Sequence, residues 1–383
     1  MSNKNMVTPD CSFINAIATA HPPHDIHGDF YPFIAQFLEE KDRQLLRRII
    51  ARSQIEHRYS CVPLTGGTEG FYPAGPGSFP TTEIRMNRYK HFAPRLAHAA
   101  ARQIVDESIR RRITHLIIGS CTGFYAPGVD CDLIESLDLP RDISRRTIGF
   151  MGCYAGLSVL QTAHDIVRAD PTSLVLAINV ELSSLHFQKP KCLEDVLGPM
   201  QFADGCSAAL ISSEPNGLAM DGFESRLFPD HADAITWHIT DQGFAMHLDI
   251  GLPRILREDV LNHFSVGQMA AEHWAIHPGG RAILDAVQNS LELGNEQMRV
   301  SRQILRDFGN MSSATIMFIL QQILQNAMPG QNGIAIAFGP GLAMESMRFT
   351  AAARPARSDA QNAGNTRHNR AGPLGITATL PLA

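Results

Sequence analysis

The sequence has neither a surplus of positive charge nor a long apolar run, and both absences exclude classes of protein. Its 33 lysine and arginine residues are outnumbered by 38 aspartate and glutamate residues, which gives a formal net charge of −5. Such a balance produces no general attraction for nucleic acid or anionic lipid, so no nucleic-acid partner is expected. No stretch reaches the ~18 consecutive apolar residues of a membrane-spanning helix, and residues 1–6 lack the apolar core of a signal peptide. We therefore expect a cytoplasmic protein without an integral membrane segment.

Closely spaced cysteine pairs are also missing. The seven cysteines are an odd number and include no C-x-x-C unit, which argues against a disulfide framework and against a zinc site. A reducing compartment fits this pattern best, and no metal site is predicted.

The chain is long enough to form a large core. With 383 residues, 44% of them hydrophobic, it can bury a large core as one large domain or as two fused halves.

Short apolar segments alternate along the chain with longer stretches of helical periodicity. The apolar segments predict strands at Phe13–Ala18, His115–Gly119, Ser173–Ile178, His273–Ile276 and Gly333–Phe338. The periodic stretches predict helices at Phe33–Arg58, Ala93–Arg112, Leu157–Val167, Arg281–Leu293 and Ser312–Gln325. This alternation predicts an α/β fold with βαβ units and a largely parallel, buried sheet. The series occurs twice, so the sequence predicts two halves of similar plan.

Two changes in composition set the expected boundaries. A polar turn cluster at 212–217 separates an N-terminal half, 11–213, from a C-terminal half, 216–349. Beyond Phe349 the chain is rich in alanine, arginine, asparagine and proline and has little apolar periodicity. Residues 350–383 are therefore predicted to form a disordered tail.

Three residues lie where the chain is predicted to turn into a helix. Cys153 lies in the glycine-containing segment 148–156, His277 ends an apolar strand just before a helix, and Asn310 directly precedes another helix. In α/β proteins such turns gather at one edge of the sheet, where ligands bind. A thiol at a helix start is exposed to the positive end of the helix dipole and to unpaired N–H groups, so we expect a lowered pKa and a reactive thiolate. The three residues form a candidate catalytic triad.

The residue types indicate a division of roles within the triad. Asn310 cannot exchange protons near neutral pH and is suited to donating an amide hydrogen bond. With His277 it can form an oxyanion hole around a thioester oxygen, a contribution of roughly 3 to 4 kcal/mol per donor, and His277 can also pair with Cys153 as imidazolium and thiolate. Taken singly, each residue more often has a structural role, as a core cysteine, a hydrogen-bonded histidine or a helix cap. The order Cys, His, Asn also occurs in papain-like hydrolases, so the order alone does not choose a reaction.

Four short segments stand out around and after the triad: Gly149–Gly156, His277–Gly280, Gly309–Ser313 and Phe338–Gly341. Together they resemble the type III polyketide synthases, the chalcone synthase-like family. The resemblance extends from about Phe13 to Arg348 and implies a thiolase-like αβαβα layered fold, a homodimer, and a cysteine that carries the growing chain. Acyl-CoA and malonyl-CoA are the implied substrates, and no metal or redox cofactor is required.

The resemblance also implies a substrate pocket, whose wall residues are Phe202, Cys121, His186, Trp237, Met246 and Ser312. Phe202 matches the family's gatekeeping phenylalanine, and Met246 stands where a second phenylalanine is usual. Cys121 and His186 stand where plant chalcone synthases have threonine, and Trp237 replaces a small residue. Each of these side chains also fits simple wall packing. The departures imply a product other than a chalcone.

The starter and the CoA contacts are implied in the same way. Trp237 and the context Met151–Tyr154 are more similar to bacterial alkylresorcinol and alkylpyrone synthases than to flavonoid enzymes, which implies a fatty acyl starter. Arg48 and Arg52 match basic positions at the family's tunnel entrance and, at this spacing, share one helix face. Leu45 replaces a family lysine. Three alternatives stay open: a single-round ketoacyl synthase III-type enzyme, a cysteine hydrolase, and a catalytically silent acyl-CoA-binding homologue.

Overall fold

The computed structural model of the chain describes residues 11–64, 71–73, 77–261, 271–352 and 377–379. Its strands, numbered in chain order, are β1 Ser12–His21, β2 His24–Asp25, β3 Tyr59–Ser60, β4 His115–Ser120, β5 Ser144–Gly149, β6 Val175–Leu182, β7 Asp204–Ser212, β8 Leu218–Leu227, β9 Ile235–Thr240, β10 Gly243–Leu248, β11 His273–Ile276, β12 Asn332–Gly339, β13 Ala343–Ala351 and β14 Thr377–Thr379. Its α-helices are α1 His27–Ala35, α2 Glu40–Arg52, α3 Thr82–Ala101, α4 Glu107–Arg110, α5 Val129–Ser136, α6 Ala155–Ala169, α7 Glu194–Leu197, α8 Leu252–Ile255, α9 Arg281–Ser290, α10 Asn295–Phe308 and α11 Thr315–Asn326. The described part of the chain is therefore an α/β protein, as its sequence predicts.

One large sheet runs through the molecule. Its strands lie in the order β11, β12, β13, β8, β1, β7, β6, β4 and β5, with β14 paired to β1 outside this path. On one side of the centre, β1 pairs antiparallel with β7, β7 antiparallel with β6, and β6 parallel with β4. On the other side β8, β13, β12 and β11 repeat the same sequence of two antiparallel pairs and one parallel pair. The strand pairing thus shows the two similar halves, which antiparallel pairing of Ser12–Ile14 with Leu218–Met220 joins at the centre. Because the central pairs are antiparallel and the parallel pairs lie mainly towards the edges, the sheet is mixed and the prediction of a largely parallel sheet is wrong.

Two helices lie between the halves of the sheet. Helix α6 contacts β4 and β6 of one half and β13 of the other, and α11 contacts β1 and β7 as well as β11 and β12. The two helices approach closely at Gly156, where an added Cβ would lie 2.4 Å from the carbonyl oxygen of Ser313. Further helices cover the outside: α3 packs on β1, β6 and β7, and α10 packs on β11. The layers therefore follow the predicted αβαβα order.

The stretch Phe33–Arg58, predicted as one helix, forms two. Helix α2 begins after Glu39, whose extended backbone (ψ 159°) interrupts the helical path. The interruption lets Leu38 turn into the core, where it is 5% exposed. Helix α2 ends before Gln54, which takes a positive φ of 64°. Arg58 is consequently not on a helix face, and its side chain is completely buried.

The predicted tail, residues 350–383, is not wholly irregular. Strand β13 continues to Ala351, and β14 pairs in parallel with Thr19–His21 of β1. Pairing is open to β14 there because β8 covers only the first residues of β1 on this side. The structure thus places Thr377–Thr379 of the predicted tail in a strand, and disorder of the tail as a whole stays a prediction. Residues 353–376 and 380–383 lie outside the described residues.

The described residues contain neither a membrane-spanning helix nor a cluster of metal-binding side chains. No helix in these ranges is both long and apolar enough to cross a lipid bilayer. No group of three or more His, Cys, Asp or Glu side chains in them is arranged to hold a metal ion.

Candidate active site

Cys153 lies on the turn that connects β5 to α6. Phe150 and Gly152 in this turn have positive φ angles of 60° and 75°. At Gly152 a Cβ would lie 2.2 Å from Cδ of Pro340, so a side chain there would be both strained and blocked. One turn of 3₁₀ helix, Gly152–Tyr154, then leads into α6. The glycine thus allows the turn to pack against the loop after β12 and fixes the position of the thiol.

His277 directly follows β11. Its backbone N–H donates to the carbonyl oxygen of Ile336 in β12 (2.8 Å), which continues the parallel ladder by one residue. The side chain is 1% exposed, yet neither ring nitrogen has a hydrogen-bond partner among the described residues. Burial lowers the pKa of this imidazole to about 3, so the free ring is neutral at pH 7. A buried ring with two unpaired nitrogens is available to a ligand.

Asn310 follows the end of α10. Gly309, with a φ of 70°, turns the chain, and the backbone of Asn310 then pairs with the segment around Phe202. The side-chain Oδ1 accepts a hydrogen bond from the N–H of Ser312 (2.8 Å), which orients the amide. Its Nδ2 consequently faces the thiol, 3.9 Å from Sγ of Cys153. Asn310 therefore presents a donor beside the sulfur.

One cavity of about 240 Å³ contains these groups. Every residue predicted for the triad and the pocket lines it: Cys153, His277, Asn310, Phe202, Cys121, His186, Trp237, Met246 and Ser312. The structure thus brings together side chains that come from both halves of the sequence. From the sequence alone each of these residues could have had a purely structural role, but in the structure they line the same cavity.

An aromatic cluster forms one wall of the cavity. The indole N–H of Trp237 donates to the carbonyl oxygen of Cys121 (2.8 Å). His186 stacks on Phe244 with 4.2 Å between ring centroids, its Nε2 lies 2.7 Å from the carbonyl oxygen of Thr122, and its Nδ1 accepts from the N–H of Phe244 (3.0 Å). These partners require the neutral Nε2–H form, and burial lowers the pKa of His186 to about 3. The wall is therefore rigid and uncharged.

Arg48 and Arg52 do not line this cavity. Both side chains are exposed on α2, and within the described ranges neither forms a side-chain hydrogen bond or ion pair. The carbonyl oxygen of Arg52 accepts a hydrogen bond from Arg281 (3.0 Å), and Ile283, in the same turn of α9, lines the cavity. The end of α2 is therefore near the cavity rim, with its two guanidinium groups in solvent.

Comparisons with known proteins agree with this geometry. Models of the chalcone and stilbene synthases match the chain, the N-terminal domain over residues 9–215 and the C-terminal domain over residues 222–352. The crystal structure of PKS-I from the brown alga Ectocarpus siliculosus is 31% identical and superposes with a TM-score of 0.82, over 89% of this chain and 98% of its own. The C-terminal type III polyketide synthase domain of Steely1, a type I/III hybrid from Dictyostelium, is 26% identical with a TM-score of 0.79, over 90% of this chain and 100% of its own. A point mutant of CsyB is 22% identical, has a TM-score of 0.78 over 89% of this chain and 100% of its own, and shares the fold.

The chain belongs to the chalcone and stilbene synthase family. The resemblance to type III polyketide synthases is thereby confirmed, and with it the thiolase-like fold.

The ionisation of the thiol in this type III polyketide synthase differs from the sequence-based expectation. Cys153 keeps some exposure to the cavity, but burial of its sulfur raises the pKa of the thiol to about 11. Hydrogen bonds from Ser312 and Asn310 lower it only in part. The expected fall in pKa from the helix start does not outweigh the loss of hydration of the thiolate. Cys153 alone is therefore a protonated thiol at pH 7.

A buried carboxyl group beneath the site was missed from the sequence. Glu181 of β6 accepts hydrogen bonds from the N–H of Cys121 (3.0 Å) and the hydroxyl of Thr122 (2.8 Å), and also from the hydroxyl of Ser313. Burial raises its pKa to about 7. It ties three segments around Cys153 together. The feature of the sequence that could have indicated this buried carboxyl group is an acidic residue within the otherwise apolar segment that forms β6.

The mouth of the cavity holds further residues that sequence reasoning missed. Lys189 and Lys191 both line the cavity and are exposed to solvent. Their ammonium groups bring positive charge to the opening, where Asp195 also lines the cavity and accepts a hydrogen bond from the backbone N–H of Lys191 (2.8 Å). The signal in the sequence was a pair of lysines flanking Pro190, shortly after the end of β6.

Proposed function

We propose that this protein is an iterative polyketide synthase that extends an acyl-CoA starter with malonyl-CoA and cyclises the product to an alkylresorcinol or alkylpyrone. The observation that carries the proposal is that an unpartnered imidazole and an amide donor lie in the same cavity as a cysteine sulfur. His277 has two unpartnered ring nitrogens in a buried ring, and Nδ2 of Asn310 lies 3.9 Å from the sulfur of Cys153. These donors fit a thioester oxygen placed beside that sulfur.

The chemistry begins with transfer of the starter. The sulfur of Cys153 attacks the carbonyl carbon of the acyl-CoA, a new C–S bond forms, and CoA leaves as its thiol after taking up a proton. Malonyl-CoA then binds beside the acyl group with its thioester oxygen towards His277 and Asn310. Its carboxylate leaves as carbon dioxide, and the electrons of the broken C–C bond form an enolate that the two donors stabilise.

The enolate carbon then attacks the acyl thioester on Cys153. A C–C bond forms, the bond to sulfur breaks, and the thiolate is regenerated while the extended chain remains on CoA. Transfer of this chain back to Cys153 allows another round. Decarboxylation supplies the carbon nucleophile without a strong base, so the proposal includes no cofactor beyond the CoA thioesters themselves.

The proposed starter is a fatty acyl group. Beyond the triad the cavity is lined by apolar side chains that suit a hydrocarbon chain: Ile235, Phe244, Met246, Leu248, Leu252 and Ile283. The wall of Trp237 and His186 closes one side, which favours an extended chain over a bulky ring system. We place the CoA phosphates near Arg48 and Arg52, whose guanidinium groups are free in solvent near the rim. A homodimer is part of the same proposal.

Labelled malonyl-CoA incubated with the purified protein and acyl-CoAs graded from acetyl to long-chain fatty acyl tests the proposal. We expect products carrying several malonyl-derived units, formed most efficiently with long-chain starters, and mass spectrometry identifies them. A single condensation would instead indicate a ketoacyl synthase III-type enzyme, and free acid formed without consumption of malonyl-CoA would indicate a hydrolase. Products from small aromatic or acetyl starters alone would contradict the fatty acyl starter.

Changing His277 to glutamine is expected to slow alkylation of Cys153 at pH 7 by at least about tenfold. A thiol with a pKa of about 11 is ionised to roughly one part in ten thousand at pH 7. Reactivity at neutral pH therefore requires a base. Burial makes His277 a weak base, with a pKa of about 3, so it can accept the proton only because the imidazolium and the thiolate then stabilise each other. A thiol with a raised pKa forms thiolate only as the pH approaches that pKa. Alkylation of Cys153 in His277→Gln should therefore increase steeply from pH 7 towards pH 10.

The measurement is the rate of iodoacetamide labelling of the peptide that contains Cys153. Exposed Cys192 provides an internal control, since its labelling should not depend on His277. Equal labelling of Cys153 in the two proteins at pH 7 would show that His277 does not accept the thiol proton.

A further inference from the structure

Arg58 is a fully buried cation at the back of the active site. Its side chain is 0% exposed, and within the described ranges it forms no ion pair with a carboxylate. Burial lowers the pKa of its guanidinium to about 9, which still leaves the group protonated at pH 7. The carboxylate of Asp25, which accepts a hydrogen bond from the backbone N–H of Arg58 (3.2 Å), attracts the guanidinium without forming an ion pair with it. Because a buried charge is costly, the direct contacts of the guanidinium must also stabilise it.

These contacts are specific. One terminal nitrogen, Nη1, donates both to the carbonyl oxygen of Pro199 (3.0 Å) and to that of Phe202 (2.9 Å). Nε donates to Nδ1 of His27 (3.3 Å), and the guanidinium carbon lies 4.4 Å above the ring of Phe30. Nη1 of Arg58 thus binds the backbone segment that carries Phe202, whereas Nε binds His27.

The same backbone segment positions Asn310. The N–H of Asn310 donates to the carbonyl oxygen of Gln201 (2.8 Å), and the N–H of Ala203 donates to the carbonyl oxygen of Asn310 (2.8 Å). Gly309 packs directly on Arg58, because a Cβ there would lie 2.8 Å from Cγ of the arginine. Arg58 therefore lies beneath both segments at the point where they pair.

We propose that Arg58 is a positioning residue that holds the backbone of Phe202 and Asn310 in register and so sets the place of the Asn310 donor relative to Cys153. The inference rests on the proposed function, in which Asn310 stabilises the malonyl-derived enolate. A displacement of about 1 Å in a catalytic group can cost about a hundredfold in rate. Cys153 itself is held by β5, α6 and the loop at Pro340, so its own loading is much less sensitive to Arg58.

The test compares Arg58→Lys with Arg85→Lys. Lysine keeps the charge but lacks the planar fork of arginine, so it cannot reproduce the set of donors to two carbonyls and His27. Arg85 is an equally buried arginine that donates to the carbonyl oxygens of Pro80 and Leu185, outside the paired segments. Arg85→Lys therefore shows how much activity is lost when a buried arginine is replaced by lysine away from the paired segments.

Two steps are measured in each variant: the burst of CoA released when acyl-CoA loads Cys153, and the release of carbon dioxide from malonyl-CoA. In Arg58→Lys we expect decarboxylation to fall at least about tenfold further than loading. In Arg85→Lys both steps should fall together with the folded fraction. An unchanged ratio of the two steps in Arg58→Lys would overturn the positioning role.

Hydrogen–deuterium exchange gives a readout that does not depend on turnover. Peptides covering 199–204 and 308–311 should exchange faster in Arg58→Lys and not in Arg85→Lys. Unchanged exchange of these peptides in Arg58→Lys would overturn the positioning role of Arg58. A wild-type protein that makes no polyketide would instead contradict the proposed function and leave the exchange test valid. If Arg58→Lys does not fold, His27→Ala removes only the contact to Nε, and the same two peptides should exchange faster in it. No change there would count against the inference as well.

Discussion

Replacement of Cys153 by alanine is expected to abolish polyketide formation, with a fall of at least about a thousandfold. The sulfur is the proposed covalent carrier, and alanine offers no nucleophile. The other thiol that lines the cavity cannot take its place. The sulfur of Cys121 accepts a hydrogen bond from the N–H of Gly152 (3.0 Å), and burial raises its pKa well above the ordinary value. It is therefore held as part of the wall.

Intact-protein mass spectrometry checks this expectation. Wild-type protein incubated with an acyl-CoA should gain the mass of one acyl group, and Cys153→Ala should gain none. Cys192→Ala is the matched control, because Cys192 is exposed and does not line the cavity. Malonyl-dependent product from Cys153→Ala would refute the covalent mechanism.

Changing Asn310 to aspartate is expected to reduce malonyl-CoA decarboxylation by about a hundredfold to a thousandfold. The aspartate keeps an oxygen to accept the hydrogen bond from Ser312, so the turn can be retained. It loses the Nδ2 donor and places a negative charge where the enolate develops. The substitution therefore separates the donor from the structural contact.

The measurement is release of labelled carbon dioxide from carboxyl-labelled malonyl-CoA. Asn326→Asp provides the control, since Asn326 is an exposed asparagine at the end of α11. Acylation of Cys153 should be affected much less than decarboxylation in Asn310→Asp. If carbon dioxide release is the same as in wild type, Asn310 does not stabilise the enolate.

Much of the site was predictable because its residues lie on turns with clear sequence signals. Gly152 and Gly309 mark sharp turns with positive φ, and apolar strands or helices flank Cys153, His277 and Asn310. The resemblance then supplied the wall residues, which the structure places in the same cavity. The repeated order of strands and helices similarly predicted the two halves.

The residues behind the site were not predictable in the same way. Arg58 stands in an arginine-rich stretch that reads as an exposed helix face, and only the break before Gln54 sends it inward. Glu181 lies in a buried strand, where its charge interrupts the apolar pattern without indicating its partners. Such contacts depend on how distant segments cross, and a sequence pattern describes only local periodicity.

The thiol pKa shows a different kind of failure. A helix start lowers a cysteine pKa and burial raises it, and the sequence indicates the first effect but not the depth of the second. In the structure burial is the larger effect for Cys153. The direction of the pKa shift of Cys153 could therefore be determined only from the surroundings of its sulfur in the structure.

The central pairing of β1 with β8 divides the proposed reacting groups between the two halves of the chain. Cys153 lies on one side of that seam, whereas His277 and Asn310 lie on the other. Under the proposed mechanism, neither half therefore holds a complete set of reacting groups. A polypeptide cut at residues 213–217 would therefore yield two inert fragments, and turnover would return only when they reassociate.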